Sequence, residues 1–491
     1  MSAPIYLDYA ATAPVDARVA ARMAEVLALG LGNAAANHAA GRAASDVIEQ
    51  ARAEVAALIG ASPRDIVFTS GATEANNLAI TGTVAAALRG QPRAAAQVVT
   101  LSTEHKSVLE PVRALARRGA QVVILQPDHE GRLSPQALDA VLTAETRLVT
   151  LLHVNNETGV AQDLAALAEV CAARGVPLHV DASQSAGKLP LDVAGIAMLS
   201  FTAHKLGGPQ GIGALYVAPE HRGYIEPLIV GGGHERGLRA GTLATHQIAG
   251  FGLACRLAHE ALPEFGHRVF ALRERLWRGL SDLPGALFNG HPTRHAPHIL
   301  NVSFAGVEGE SLFLGLPGLT LSTGSACNSA SAEPSYVLRA LGRDMQQAQA
   351  SLRFSFGSAT TEADIDNAIA AVRAQHQALW GLSPARPPLE FEQGACGVRY
   401  LGEAGAERLG AWVRIAALVE GGFVKTARAQ VYGCPDTRAA CQWVCQHLAD
   451  QPVAAPDIGK PEQWRTIVGA PVEKLGRMLI IEDAVGALRP A

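Results

Sequence analysis

The sequence predicts an α/β protein with a large, mostly parallel sheet, a smaller α+β lobe and a separate C-terminal unit. Three observations carry this. From about residue 50 to 250, β-branched runs alternate with helical patterns: IVFTS, QVVTLS, QVVILQP, RLVTLLHVNN, PLHVDAS, MLSFTAHK and GALYVAP. Strands separated by helices give a parallel sheet covered on both faces. From about 265 to 380 the pattern changes to a helix, a strand (HILNVSF), a long Ser/Gly/Ala-rich loop, a strand (SLRFSFG) and a final helix. Then LSPARPPLEFEQG places three prolines close together, as in an extended linker, and about 100 residues, enough to fold alone, follow it.

Composition agrees with a folded enzyme-sized chain. The 491 residues are 48% hydrophobic and 18% charged, with a net charge of −4, so disorder is excluded and core-forming material is ample. No basic stripe is present to supply electrostatic affinity for nucleic acid, so no direct nucleic-acid partner is expected. No run of about 18 residues is apolar enough to span a bilayer. The start, MSAPIYLDYAATAPVD, has no basic region followed by an apolar one, which gives no membrane and a cytoplasmic location as the expectation. Seven cysteines, an odd number in a long chain, do not make a disulfide framework. Cys171 and Cys255 fall at apolar positions of helical patterns and read as small buried hydrophobes.

Ligands of parallel sheets bind beyond the carboxyl ends of the strands, where the chemistry-bearing residues of this chain stand. IVFTS runs into Gly71-Ala72-Thr73-Glu74 and a helical pattern, a geometry that binds phosphate or simply caps a helix. Asp181 ends an apolar strand, where a carboxylate holds a protonated ring nitrogen or caps a turn. Lys205 follows another strand, beside His204 and before a glycine-rich turn; before residue 390 the only other lysines are Lys106 and Lys188. An amine among apolar strand ends is able to form a Schiff base. Each feature alone has an ordinary structural reading. Together, in this order, they are the parts needed to hold pyridoxal 5'-phosphate.

The runs TEHKSV, HVNNETG, HVDASQSAGKLP, SFTAHKLGGPQGIGALYV, GGGHERGLRAGT and GSACNSASAEPSYVLRALG resemble the cysteine desulfurases of iron–sulfur cluster assembly, within the class V aminotransferase group, over roughly residues 4–385. The resemblance implies a type I pyridoxal-phosphate transferase fold, with a large domain at about 15–260 and a small domain from 1–14 and about 261–385. It implies that Lys205 carries the cofactor, Asp181 binds its pyridine nitrogen, His105 stacks on the ring and assists proton transfer, and Gln184 contacts its phenolate oxygen. It implies that Thr73, Thr202 and His204 bind the phosphate, that Ala72 and Asn156 also contact the cofactor, and that Thr242 reaches in from the other subunit of a homodimer. Asn156 and Arg353 grip the substrate carboxylate, for which a bidentate guanidinium is well shaped. Cys327, in the small-residue loop, takes the sulfur of L-cysteine as a persulfide, leaving L-alanine, and passes it to an acceptor protein such as an iron–sulfur scaffold.

The segment 386–392 reads as the linker and 393–491 as a further domain. Its order of motifs, GACGVRYLG, then QVYGCPDTRAACQWVC, then GRMLIIEDAVGAL, resembles the scaffold proteins on which iron–sulfur clusters are built. Cys396 and Cys434 match two of the scaffold cysteines, whereas the expected Asp is Val398 and the expected His-Cys pair is Gly476-Arg477. Two thiols do not supply a usual ligand set, so the domain reads as degenerate. Cys441 and Cys445 share a helix face beyond Cys434. A substitute metal or cluster site on these cysteines, a sulfur-relay or dimer-regulating role for the domain, and idle buried thiols stay open at this level. Two other functions compete with the leading one: a selenocysteine lyase or other β-eliminating pyridoxal-phosphate enzyme, which needs no sulfur acceptor, and a metal- or cluster-carrying assembly module.

Overall fold

The structure is a computed structural model that describes residues 4–89, 96–323, 334–382, 386–387, 389–391 and 397–491. The seven β-branched runs form one sheet: β1 (Ile66–Thr69), β2 (Gln97–Leu101), β3 (Gln121–Leu125), β4 (Thr146–Leu152), β5 (Leu178–Asp181), β6 (Met198–Thr202) and β7 (Gly213–Val217). Their order is β1-β7-β6-β5-β4-β2-β3. Pairs β3/β2, β2/β4, β4/β5 and β5/β6 are parallel, and β7 alone runs against its neighbours β6 and β1.

Helices cover both faces, and the alternation of side chains along the strands decides which residue meets which helix. Val98 and Leu148 pack with Leu78 of α3 (Ala72–Ala87) and Val108 of α4 (Lys106–Arg117). Their neighbours Val99 and Val149 face the other side, with Val55 of α2 (Ala39–Leu58), Leu167 of α5 (Leu164–Ala173) and Phe251 of α6 (Thr245–Leu280). The helix α1 (Ala17–Ala28) precedes these. Strand β3, at the sheet edge, keeps its Val-Val-Ile-Leu half-buried, while β2 is buried throughout.

The 36-residue α6 joins the two lobes. Ile248, Phe251 and Cys255 belong to the core of the large sheet, and Val269, Leu272, Leu276 and Leu280 to a second core. That second core is built on an antiparallel sheet of β8 (Ala286–Phe288), β9 (Ile299–Phe304), β10 (Ser322–Thr323) and β11 (Ser351–Ser355), in the order β10-β11-β9-β8, and is covered by α7 (Glu362–Trp380). The N-terminal segment joins it: Ile5–Tyr6 pairs in parallel with Leu319–Thr320, and Leu7 is fully buried.

The C-terminal unit is a sheet in the order β14-β13-β12-β15, from β12 (Val398–Ala406), β13 (Ala411–Glu420), β14 (Phe423–Tyr432) and β15 (Arg489–Pro490). Val413, Ile415, Ala417 and Val419 of β13 alternate onto the face covered by α8 (Pro435–His447), α9 (Pro461–Ile467) and α10 (Leu475–Gly486). This unit touches the small lobe: Ser311 Oγ donates to the Gly433 carbonyl at 2.8 Å, and Lys474 Nζ reaches both carboxylate oxygens of Glu310 at 2.7 Å. Among the described residues no helix is long and apolar enough to cross a membrane. Cys171 and Cys255 are buried thiols pushed up by burial, Cys171 to about 11.

Candidate active site

A cavity of about 640 Å³ opens at the carboxyl ends of the large sheet, against the small lobe. It is lined by Ala72, Thr73, His105, Asn156, Asp181, Gln184, Thr202, His204, Lys205 and Arg353. Ten of the sequence-derived positions thus meet in one place. Thr242 is exposed and is not among the lining residues of this chain. Cys327 and Cys396 lie outside the described residues.

At one end of the cavity, β1 turns through Ser70-Gly71 into α3. Gly71 is the N-cap and no side chain caps the first turn, so the amides there are left to a ligand or to water. The turn lies flat on β7 because Gly213 lacks a side chain: a Cβ there would stand 2.7 Å from the Gly71 Cα. Glu74 closes the turn, accepting from the Ser70 amide at 2.7 Å and from Arg239 Nε at 2.8 Å. Thr202 Oγ1 donates to the Ile212 carbonyl at 3.3 Å. His204 Nδ1 lies 3.2 Å from Thr12 Oγ1, and burial, with the nearby Lys205 and Lys188 charges, lowers the ring to about 4, so it is neutral at pH 7.

In the middle, Asp181 is almost fully buried. Its Oδ1 accepts from the Ser183 amide at 2.9 Å and its Oδ2 from Asn76 Nδ2 at 2.7 Å. The same Asn76 nitrogen donates to Ser107 Oγ at 2.8 Å, which lies 2.8 Å from His105 Nδ1. His105 is the N-cap of α4, and Nδ1 also accepts from the Ser107 amide at 3.1 Å. Burial and then the Lys205 charge lower its pKa, so the ring is neutral with Nδ1 the acceptor and the proton on Nε2. Lys205 ends the short 3-10 turn Ala203–Lys205 that follows β6.

On the small-lobe side, Arg353 stands on β11 between the core residues Leu352 and Phe354. Its Nη1 donates to the Asn156 carbonyl at 2.8 Å, and its Nη2 to Asp8 Oδ1 at 2.7 Å and Ser322 Oγ at 3.0 Å. Arg353 Nε is buried and has no hydrogen-bond partner among the described residues.

Asn76, Ser107, Ser183, Asp8 and Ser322 are site residues that the sequence reading missed. Asn76 had a signal, an amide in the otherwise apolar helical run ANNLAITGTVAAAL. Beneath Asn156, Glu157 is buried and bonded by the Ser335 hydroxyl; burial pushes it up to about 7, partly offset by that hydroxyl and by Arg353. Its folded-state pKa is above the unfolded one, so the folded protein holds the extra proton between about 4.5 and about 7. Stability is therefore expected to fall as pH rises through that window. Denaturant unfolding of Glu157→Gln at several pH values checks this, with a flatter pH dependence than wild type as the result.

In the C-terminal unit, Cys434 is the N-cap of α8, fully buried, with its Sγ 3.2 Å from Thr437 Oγ1. Lys474 and Arg477 stand beside its sulfur; burial lowers both cations, but the Glu310 hydrogen bond and then Cys434 for Lys474, and Cys434 and then Glu308 for Arg477, raise them by more. Cys441 and Cys445 are neighbours inside the core, and the Cys445 thiol together with burial raises Cys441 well above the usual thiol range. Among the described residues no three His, Cys, Asp or Glu side chains are grouped to hold a metal.

The aminotransferase class V family model matches residues 5–368. The cysteine desulfurase IscS of Aeromonas hydrophila is 51% identical over 389 residues, which are 78% of this chain and 95% of that protein. IscS of Vibrio campbellii is 50% identical with the same coverage. Among solved structures, a NifS-like protein superposes with a TM-score of 0.70 at 32% identity, covering 77% of this chain and 99% of its own. The S-sulfonic acid form of the cysteine desulfurase CsdA from Escherichia coli gives 0.66 at 26% identity, over 77% and 95%. The stretch matched by the family model holds every residue that lines the cavity, and on this extent of likeness the chain belongs to the class V aminotransferases, among the cysteine desulfurases of the IscS type.

Proposed function

We propose that residues 1–385 form a pyridoxal-phosphate-dependent cysteine desulfurase that converts L-cysteine to L-alanine and collects the sulfur as a persulfide on Cys327. The observation that carries this is the meeting of Lys205, the Asp181–Asn76 pair, His105 and Arg353 in one cavity. The residues fit the cofactor. The first turn of α3 is uncapped, and Ser183 Oγ and Gln184 Oε1 are buried, line the cavity and have no partner among the described residues.

Bound there, pyridoxal phosphate supplies an aldehyde for amines and a pyridinium electron sink. The first turn of α3, with Thr73, Thr202 and His204, holds the phosphate. Asp181 keeps the proton on the pyridine nitrogen, and the donors Asn76 and Ser183 hold its carboxylate in place. Gln184 Nε2 donates to the Ala10 carbonyl at 2.8 Å, which leaves its second N–H for the phenolate oxygen. Lys205 anchors the cofactor and moves the proton at the substrate Cα, while His105 holds a second proton, on Nε2, ready to donate. Arg353 and Asn156 orient the substrate carboxylate. Thr242, exposed in a single chain, suits a contact made across a homodimer.

The 393–491 unit is proposed to be a degenerate scaffold-like domain, joined by 386–392 and docked on the small lobe. Lys474 and Arg477 crowd Cys434 with positive charge, which opposes a metal cation and favours docking onto Glu310. The sulfur then passes to a separate acceptor protein in the cytoplasm.

Peptide-resolved mass spectrometry without reductant, after L-cysteine is added to the holoenzyme, tests the reading. Added sulfur on Cys327, and loss of alanine formation from L-cysteine in Cys327→Ser, are expected. No sulfur on Cys327 would overturn it in favour of an eliminase. Sulfur on Cys396 or Cys434 that depends on Cys327 would make the tail a relay.

A further inference from the structure

The guanidinium assigned to the substrate carboxylate is already half-neutralised. Of the five N–H groups of Arg353, one on Nη1 is bound by the Asn156 carbonyl, and Nη2 serves Asp8 Oδ1 at 2.7 Å and Ser322 Oγ at 3.0 Å. Nε and the second N–H of Nη1 are left. Asp8 lines the cavity itself. The carboxylate is fixed: Ser322 Oγ donates to the same Oδ1 at 2.9 Å, and the Asp8 backbone bridges to Ser355 at the end of the strand that carries Arg353.

We propose that Asp8 is a specificity-determining residue, whose carboxylate beside Arg353 admits amino acids with a neutral side chain and rejects those whose side chain carries a second negative charge. The inference rests on the reading of this cavity as the amino-acid site. One carboxylate on the substrate finds the two remaining N–H groups of Arg353, on Nε and Nη1. A second one, a few atoms away on the same small molecule, finds a partner already paired with Asp8. The other acidic groups of the cavity are occupied, Asp181 by Asn76 and the Ser183 amide and Glu74 by Arg239. The side chain of Arg353 is 3% exposed and that of Asp8 16%, so solvent screens this repulsion little. Discrimination by a built-in repulsion is a general route to specificity. The class admitted is the neutral thiol amino acid; the class refused is its anionic sulfinate and the isosteric dicarboxylate.

The test compares L-cysteine with L-cysteine sulfinate as substrates of the holoenzyme, and L-alanine with L-aspartate as calorimetric ligands. Asp8→Asn, which keeps the shape and removes the charge, is expected to raise the sulfinate-to-cysteine ratio of kcat/KM about tenfold or more. It should tighten L-aspartate relative to L-alanine by a similar factor. Asp8→Ser carries the same expectation should the first variant fold poorly. Both members of each ratio are measured on one preparation, so a loss of folded protein cancels. Ser322→Ala removes a tether without changing charge and should weaken both substrates alike. Ratios within twofold of wild type in the Asp8 variants would overturn the proposal. A wild-type protein that made no alanine would instead sink the underlying reading, and the aspartate-to-alanine binding ratio would still decide the role of Asp8.

Discussion

Lys205→Ala is expected to abolish alanine formation from L-cysteine, with kcat down by about 10⁴-fold or more, the upper end of what a positioned proton-transfer group contributes. The size follows from two losses at one position. On the proposed reading the amine is both the covalent anchor for the cofactor aldehyde and the base at the substrate Cα, and among the described residues no other lysine lines the cavity. Lys106 begins α4, one residue past His105, and is not among the residues that line the cavity; Lys188 is buried and absent from that lining too. Borohydride reduction followed by denaturation gives the direct readout. Wild type should retain the cofactor on the Lys205 peptide, and the variant should release it. A variant that kept more than a hundredth of wild-type kcat, or held cofactor covalently elsewhere, would show that the anchor is another amine.

Arg52→Ala is expected to cost about 3–5 kcal/mol of stability, the penalty for leaving one member of a buried ion pair alone. The side chains of Arg52 and Glu235 are 3% and 1% exposed, and the guanidinium holds both carboxylate oxygens at 2.7 and 2.8 Å. Glu235 Oε2 also accepts from the Phe68 amide at 2.7 Å, and Arg52 lies 4.6 Å over the Phe68 ring. Glu235 and Arg236 both have positive φ, 51° and 57°, so the pair secures a turn that the backbone resists. Phe68 is on β1, which delivers the Gly71 turn, so weaker cofactor retention should accompany the loss. Denaturant unfolding of Arg52→Ala, Glu235→Ala and the double variant measures the coupling; the double variant should recover part of the cost. A single-variant cost below about 1 kcal/mol would mean that the pair is replaceable by water.

The large sheet was legible because each of its strands is a β-branched run long enough to stand out, and the residues at the run ends then fell on the cavity. Asp181 and Lys205 are charged residues at the ends of apolar strands, which is what made them visible, whereas Arg353 came only with the family resemblance. The pieces that stayed hidden have local sequences without a period. Strands β8 and β10 have three and two residues, and Ile5–Tyr6 pairs with a segment more than 300 positions away. Their conformation is set by partners brought near by the rest of the fold, as propensity is overridden by tertiary contact. Asn76 and Asp8 belong to this group: an amide in a helix and an aspartate near the start show their worth only when Asp181 and Arg353 arrive beside them. Burial of Cys171 and Cys255 followed directly from their helical spacing.

The helix α6 has a mechanical consequence. Thirty-six residues at about 1.5 Å each make a rod of about 54 Å, with one half set in each lobe's core. Such a girder ties the two walls of the cavity to one axis, so that they cannot swing apart as separate jaws. The weak point is Pro263, which withholds the N–H that would bond the His259 carbonyl and leaves a joint in the rod. The aperture between Arg353 and Lys205 therefore depends on the rod holding its course through that joint, and a cut in the backbone on either side of it would loosen both lobes at once.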